Sequence, residues 1–143
     1  DQSIIDEYIN RTEVKDVDYT DPFNGIHNIK GRVKVDVKWN EADTDELKLE
    51  KIITQKYIAL FPYSFEAWTE MRRTGYPKTL PVLNWEDADA NLQEGDLLRR
   101  MRFPGTDTQA VAADVAATGL KALGGADLQS TRIWWDVEGT PNF

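Results

Sequence analysis

Trp85 stands in the run Asn84 to Asn91, an indole surrounded by carboxylates and amides. Sugars present C–H faces that lie flat against an aromatic ring, and their hydroxyls need planar polar partners that accept and donate hydrogen bonds. Trp85, with Asn84, Asp87 and Asp89 beside it, is therefore the candidate carbohydrate platform. The competing reading is a loop anchor whose indole packs on the core. Asp87, Asp89 and Asn91 also alternate like the opening of a calcium loop. Leu92 stands where that loop needs glycine and Leu98 where it needs a bidentate carboxylate, so no calcium or other cofactor is expected.

The other chemistry-bearing residues point away from catalysis. The chain contains no cysteine, which excludes a thiol nucleophile and a thiolate metal site. His27 is the single histidine, in a loop rich in glycine and asparagine, and a lone imidazole needs partners for acid–base work. Glycoside hydrolysis requires only two carboxylates across a cleft, and an acidic chain offers many, so carboxylates alone decide nothing. Glu66 and Glu70 lie one helical turn apart, but Arg73 follows at three residues, which favours an ion-paired solvent face. Arg72 and Arg73 close a helix, where positive charge suits the dipole, and Arg99 and Arg100 are read in the same way, as guanidinium groups bridging loop carbonyls or carboxylates. Among the remaining tryptophans, Trp39 and Trp68 fall on apolar stripes and are expected in the core. Trp134 and Trp135 are adjacent, so in an extended segment they face opposite ways and one is expected to be buried.

A net charge of −8 opposes a phosphate backbone, and Arg99, Arg100 and Arg102 form too small a basic cluster for nucleic acid. At 143 residues, with 41% hydrophobic and 29% charged residues, the composition suits one globular domain over residues 1–143, with no internal boundary.

The elements that must position these groups are mainly helical. Leu49, Ile52, Ile53, Tyr57, Leu60 and Phe61 recur at three- and four-residue steps, with Glu50, Lys51 and Lys56 on the other side. This predicts a helix over 49–61, entered through a cap at Asp43 or Thr44 and stopped by Pro62. Asp43 and Glu46 have the spacing of a capping box. Ser64 is expected to cap a second helix through Thr74, with Gly75 at its left-handed end and Pro77 beyond. The two should pack antiparallel through Ile53, Tyr57, Leu60, Phe65 and Trp68. A short helix is expected over Ser3 to about Arg11, and another from Asp107 or Thr108 to Leu123 with Val111, Val115 and Ala122 on one side. In the latter, Gly119 suggests close approach to a neighbouring helix. Residues 12–31 and 78–98 read as loops. Arg32 to Trp39 alternates strictly and predicts a half-buried strand without a visible partner, and Ile133 to Val137 a strand or extended run.

Together these stretches resemble a known family. LEKIITQKYIALFPYSFEAWTEMRRTGYP, then RRMRFP, then LGG followed by TRIWWDV and a terminal PNF, are similar in kind and order to the C-terminal end of SusD/RagB proteins, the glycan-capturing surface lipoproteins of Bacteroidetes. The resemblance implies the C-terminal portion of a tetratricopeptide-related helical fold with long loops and a short strand. It also implies a longer protein whose lipid-anchored N-terminal remainder packs on this part at the outer membrane. By the same resemblance the function is non-catalytic capture of an oligosaccharide and its delivery to a SusC-like TonB-dependent transporter. A carboxylate-dependent glycoside hydrolase and a helical protein-interaction module are the alternatives. Apolar surface is expected to be left exposed or covered by a second copy.

Overall fold

The computed structural model describes residues 1–14, 18–81, 91–93, 95–103 and 110–139. Among these residues the chain is helical, without a strand: α1 (Gln2–Ile9), a 3₁₀ turn (Gly25–His27), α2 (Asp45–Ala59), α3 (Ser64–Thr74) and α4 (Ala110–Leu123). Two compact units form, one over Asp1–Pro81 and one within Val82–Thr140.

In the first unit, α2 and α3 are the predicted pair. Thr44 caps α2 by accepting the Leu47 N–H at 3.2 Å, and the helix ends at Ala59, two residues earlier than expected. Pro62 cannot donate to a continuing helix, and the turn before it consumes the last positions. α3 begins at Ser64, but its cap position is Tyr63 and no side chain caps it, so Ser64 is the first helical residue and not the cap. Gly75 closes α3 at φ 76°, a conformation costly for any residue with a Cβ.

Ion pairs and a hydrogen bond fix the antiparallel arrangement. Near the C-terminal end of α2, Lys56 Nζ lies 3.3 Å from both Glu66, in the first turn of α3, and Glu70, one turn further on. At the other end, Tyr76 follows α3 and donates its hydroxyl to Glu46 on the first turn of α2 at 2.9 Å. Ile53, Ala67, Tyr76 and Pro77 are buried, joined by buried Lys51 and Thr74. Tyr57 and Phe65 are exposed, and Leu60 and Trp68 are half-buried, so the interface is narrower than the apolar stripe suggests.

Lys51 corrects the sequence reading most sharply. Placed by periodicity on the outer face, it is only 6% exposed. Its ammonium reaches Asp36 at 2.6 Å, Asp43 at 2.7 Å and the Lys38 carbonyl at 2.7 Å. Three acceptors match the three donors of an ammonium, which is what a buried lysine requires. The segment that wraps it, Arg32 to Trp39, is not a strand. Val33, Val35 and Val37 are half-buried as the alternation implies, but a strand needs a ladder partner, and among the described residues no ladder forms: Lys38 gives its N–H to the Arg11 carbonyl at 3.0 Å and its own carbonyl to Lys51. Trp39 is 46% exposed instead of core, with its indole N–H donated to Glu41 at 2.8 Å.

α1 starts one residue earlier than expected, capped by Asp1, whose side chain accepts the Ser3 N–H, and docks through Tyr8, whose hydroxyl donates to Gln55 on α2 at 2.5 Å. Its Ile4, Ile5 and Ile9 are exposed. The following loop is more ordered than its composition suggests. Tyr19 and Ile29 exchange two backbone hydrogen bonds of 2.9 Å, and the Asp18 carboxylate receives Lys30 and the Gly31 N–H.

In the second unit, α4 presents Val115 and Ala122 to solvent, opposite to the predicted apolar side, while Gly119, Leu120 and Leu123 are half-buried. The close approach expected at Gly119 is made by an aromatic ring rather than a helix. A Cβ added there would stand 2.4 Å from Phe103 Cζ. Residues 134–135 form a turn closed by Asp136 N–H to Ile133 C=O at 2.9 Å, which replaces the expected strand. No described helix is long and apolar enough to cross a membrane.

Candidate functional site

The predicted sugar platform, Asn84, Trp85, Asp87 and Asp89, lies outside the described residues, as does the suggested start of α4 at Asp107 or Thr108. The other candidates are placed. His27 Nδ1 lies 3.0 Å from Asp21 Oδ2 in an exposed turn. The Asp21 carboxylate also accepts the Phe23 and Asn24 N–H groups at 2.7 and 3.1 Å; these backbone bonds first, then His27, hold its pKa below the usual carboxylate value. Asp21 and His27 thus organise a local turn.

Glu66 and Glu70 form the ion-paired face expected of them. Glu70 receives Arg73 at 2.7 Å in addition to Lys56, and these partners, Arg73 foremost, hold its carboxyl below the ordinary glutamate value. A low pKa keeps the group charged, which suits pairing and not proton donation. The Arg72 guanidinium carbon lies over the Trp68 ring, 3.8 Å from its centroid.

The second unit gathers charged groups around the RRMRFP segment, and sequence reasoning named only the arginines. Buried Arg100 donates to Asp127 and to the Leu128 carbonyl at 3.3 Å, and stacks on Phe103 at 4.8 Å. Asp127 accepts the Phe103 N–H at 3.2 Å. Burial would raise the Asp127 pKa, but the hydrogen bonds from Arg100 and Phe103 overcome it and leave the group below its usual value. Asp136, also buried, takes Arg132 at 2.7 Å and Arg99 at 3.4 Å through the same oxygen. Among the described residues its Oδ2 is buried without a hydrogen-bond partner. Arg99 and Arg100 thus bridge loop carbonyls and carboxylates, as their sequence context predicts. The spacing Asp127 to Asp136 carried no signal that Asp127 would meet Arg100, 27 positions earlier, or that Asp136 would meet Arg99, 37 positions earlier.

This arginine frame holds a turn that projects Trp134, 89% exposed, with Trp135 at 37%. Neither ring is buried, contrary to the expectation from an extended segment. No group of three or more His, Cys, Asp or Glu side chains among the described residues could hold a metal ion.

One cavity stands out in the first unit, a hollow of about 420 Å³ at the α2–α3 corner. Tyr57, Ile58, Leu60, Phe61, Pro62 and Tyr63 form most of its wall. Its lining is almost wholly apolar, unlike an oligosaccharide site with several converging hydrogen-bonding groups.

Comparison with known proteins places this arrangement. Residues 2–136 match the SusD-like family, described as SusD and RagB outer membrane lipoproteins. No protein of curated function matches the chain. A chitin-binding SusD homologue from Flavobacterium johnsoniae is 43% identical, with a TM-score of 0.84 over 96% of this chain and 28% of that one. A SusD homologue from Bacteroides uniformis is 33% identical, with a TM-score of 0.78 over 94% of this chain and 28% of that one. Another from Bacteroides thetaiotaomicron is 35% identical, at 0.73 over 94% and 29% respectively. The chain therefore spans little more than a quarter of the length of these structures. A family match along nearly all of its length, with the same helical fold at up to 43% identity, shows that the chain belongs to the SusD-like family of outer membrane proteins.

Proposed function

We propose that the chain is part of a non-catalytic, surface-exposed glycan-binding protein, tethered by an N-terminal lipid and passing oligosaccharide to a SusC-like TonB-dependent transporter. The observation that carries the reading is the 43% identity, at a TM-score of 0.84, to a homologue that binds chitin. Four of the described carboxylates support it. Glu66, Glu70, Asp127 and Asp136 each sit against at least one lysine or arginine, in pairs that fix structure. In this reading residues 1–143 form one continuous part of a larger domain, and the sugar is met by Trp85 with Asn84, Asp87 and Asp89. The ring supplies a stacking face and the amide and carboxylates meet hydroxyls. Affinity is modest, because a surface platform leaves much of the ligand in water, and modest affinity suits a protein that must release its cargo.

The test is depletion of the protein from solution by insoluble chitin, xylan and cross-linked starch, with reducing ends assayed in the supernatant. Retention on at least one polysaccharide without release of sugar is expected. Sustained release of reducing sugar would make the protein a hydrolase, and retention on none would reject glycan capture by this part of the chain.

A further inference from the structure

The turn over Asp21 to Asn28 holds a reactive dipeptide. Asn24 precedes Gly25, and both are exposed. A side-chain amide followed by glycine is open to attack by the next residue's own backbone nitrogen, because no Cβ shields that nitrogen and the peptide rotates with little hindrance. The other asparagines of the chain all precede residues that carry a Cβ, as Asn28 precedes Ile29 and Asn40 precedes Glu41.

Local structure decides how often that attack occurs. Asn24, at φ −149° and ψ 108°, caps the 3₁₀ turn: its Oδ1 accepts the Ile26 N–H at 3.1 Å and its carbonyl accepts the His27 N–H at 3.0 Å. Its own N–H is donated to Asp21 Oδ1 at 3.1 Å. The amide is therefore tethered, and closing a ring onto it requires rotation that gives up the cap. The nucleophile is not tethered. Gly25 N–H meets no acceptor among the described residues, and a Cβ built on Gly25 would touch Asn28 Nδ2 at an ordinary 3.6 Å. Every bond that restrains Asn24 is local and belongs to an exposed turn, the kind of structure that opens at small cost.

We propose that Asn24 and Gly25 form a self-modification site, where the chain deamidates through a cyclic imide at a rate set by opening of the 3₁₀ turn. Solvent base takes the Gly25 N–H proton, the nitrogen bonds to Asn24 Cγ, and Nδ2 leaves as ammonia, which gives a succinimide. Water then opens the ring. Cleavage of the bond at Cγ yields aspartate, which still caps the turn. Cleavage at the main-chain carbonyl carbon yields isoaspartate, which lengthens the backbone by a methylene and pulls the Gly25 carbonyl away from the Asn28 N–H it accepts at 3.2 Å. Either product adds one negative charge to the −8 of the chain, close to the Asp21 and His27 pair. The site is independent of whatever the chain binds.

The test ages the 143-residue chain in mildly alkaline buffer, both native and unfolded in urea, and maps its asparagines by peptide mass spectrometry with enzymatic methylation of isoaspartate. Isoaspartate and aspartate are expected at position 24, ahead of every other asparagine. Gly25→Ala, whose methyl group the turn accommodates but which hinders the attacking nitrogen, should convert at least about tenfold more slowly. Unfolding in urea should speed the wild type at least about tenfold, because no turn then has to open first. An intact Asn24 in the aged native chain would overturn the proposal, whether or not it converts in urea. So would equal rates in native and unfolded chain, which removes the control by the turn, or equal rates in wild type and Gly25→Ala, which removes the part played by glycine.

Discussion

Lys51 Nζ lies 2.6 Å from Asp36 Oδ1, and this contact ties the irregular segment before α2 to the middle of that helix. Asp43 completes the pair from the other side at 2.7 Å. Removing the cation leaves two carboxylates facing each other at a site with little water, so Lys51→Ala is expected to cost about 3 kcal/mol. Lys51→Met keeps the aliphatic stem and should lose nearly as much, which separates charge from packing. Urea denaturation of the two variants checks this, and a change under about half a kcal/mol in both would show the contact to be incidental.

The same lysine predicts an alkaline limb. Burial disfavours its charge, but the bonds from Asp36 and Asp43 more than compensate and hold its pKa above the ordinary value. A pKa raised on folding means that stability is fully present below the unfolded value, about 10.4, and is lost as pH climbs through the higher folded one. Melting temperature should therefore fall above about pH 10.5, and the fall should be shallower in Lys51→Met.

Tyr76 joins that limb by a separate route. Its burial first, and then its bond to Glu46, push its pKa up to about 12 from an ordinary 10. In an absorbance titration one of the tyrosines should ionise late, and the late component should vanish in Tyr76→Phe. That variant gives up one hydrogen bond to a carboxylate and should lose about 1–2 kcal/mol. A late component that persists would assign the shift to another tyrosine.

The contact between Gly119 and Phe103 makes a sharp steric prediction. Alanine is the better helix former by about 1 kcal/mol, yet three ring atoms lie within 3.2 Å of the Cβ it would add. The ring is held by Arg100 on its face, so it cannot swing away freely. Gly119→Ala should therefore destabilise by about 1–3 kcal/mol, and Phe103→Leu should absorb most of that penalty in the double variant. Additive effects would show that the ring does not press on the helix.

Asp127 governs the acid side. Its carboxyl, held low by Arg100 and Phe103 against the opposing effect of burial, contributes stability above the unfolded pKa of about 3.9 and loses it as pH falls through the lower folded value. Asp127→Asn should weaken the fold at pH 7 by about 2 kcal/mol and flatten its acid transition. An unchanged acid transition would place the titrating group elsewhere.

Periodicity and punctuation carried the helix pair. Pro62, Gly75 and the apolar steps of α2 and α3 are local signals, and the observed helices follow them to within a few residues. Failures arose where distant partners overrode local pattern. Arg32 to Trp39 has the alternation of a strand, but Asp36 is drawn to Lys51 and no neighbouring strand among the described residues supplies a ladder. α4 turned its glycine inward because Phe103 needed the space, which no helical wheel encodes. Trp134 and Trp135 follow a turn whose Asp136 is held by neighbouring Arg132 and by Arg99, thirty-seven positions earlier. The motifs carry the family, and the arginines of RRMRFP pair with carboxylates that hold loops and turns in place.

The most direct measurement of the central claim is a tryptophan-fluorescence titration of wild type, Trp85→Ala and Trp134→Ala with chito-oligosaccharides, with products followed in the same samples. A saturable change without products is expected in wild type and Trp134→Ala, and its loss in Trp85→Ala. Undiminished binding in Trp85→Ala, multiple turnovers, or no saturable change in wild type would contradict it.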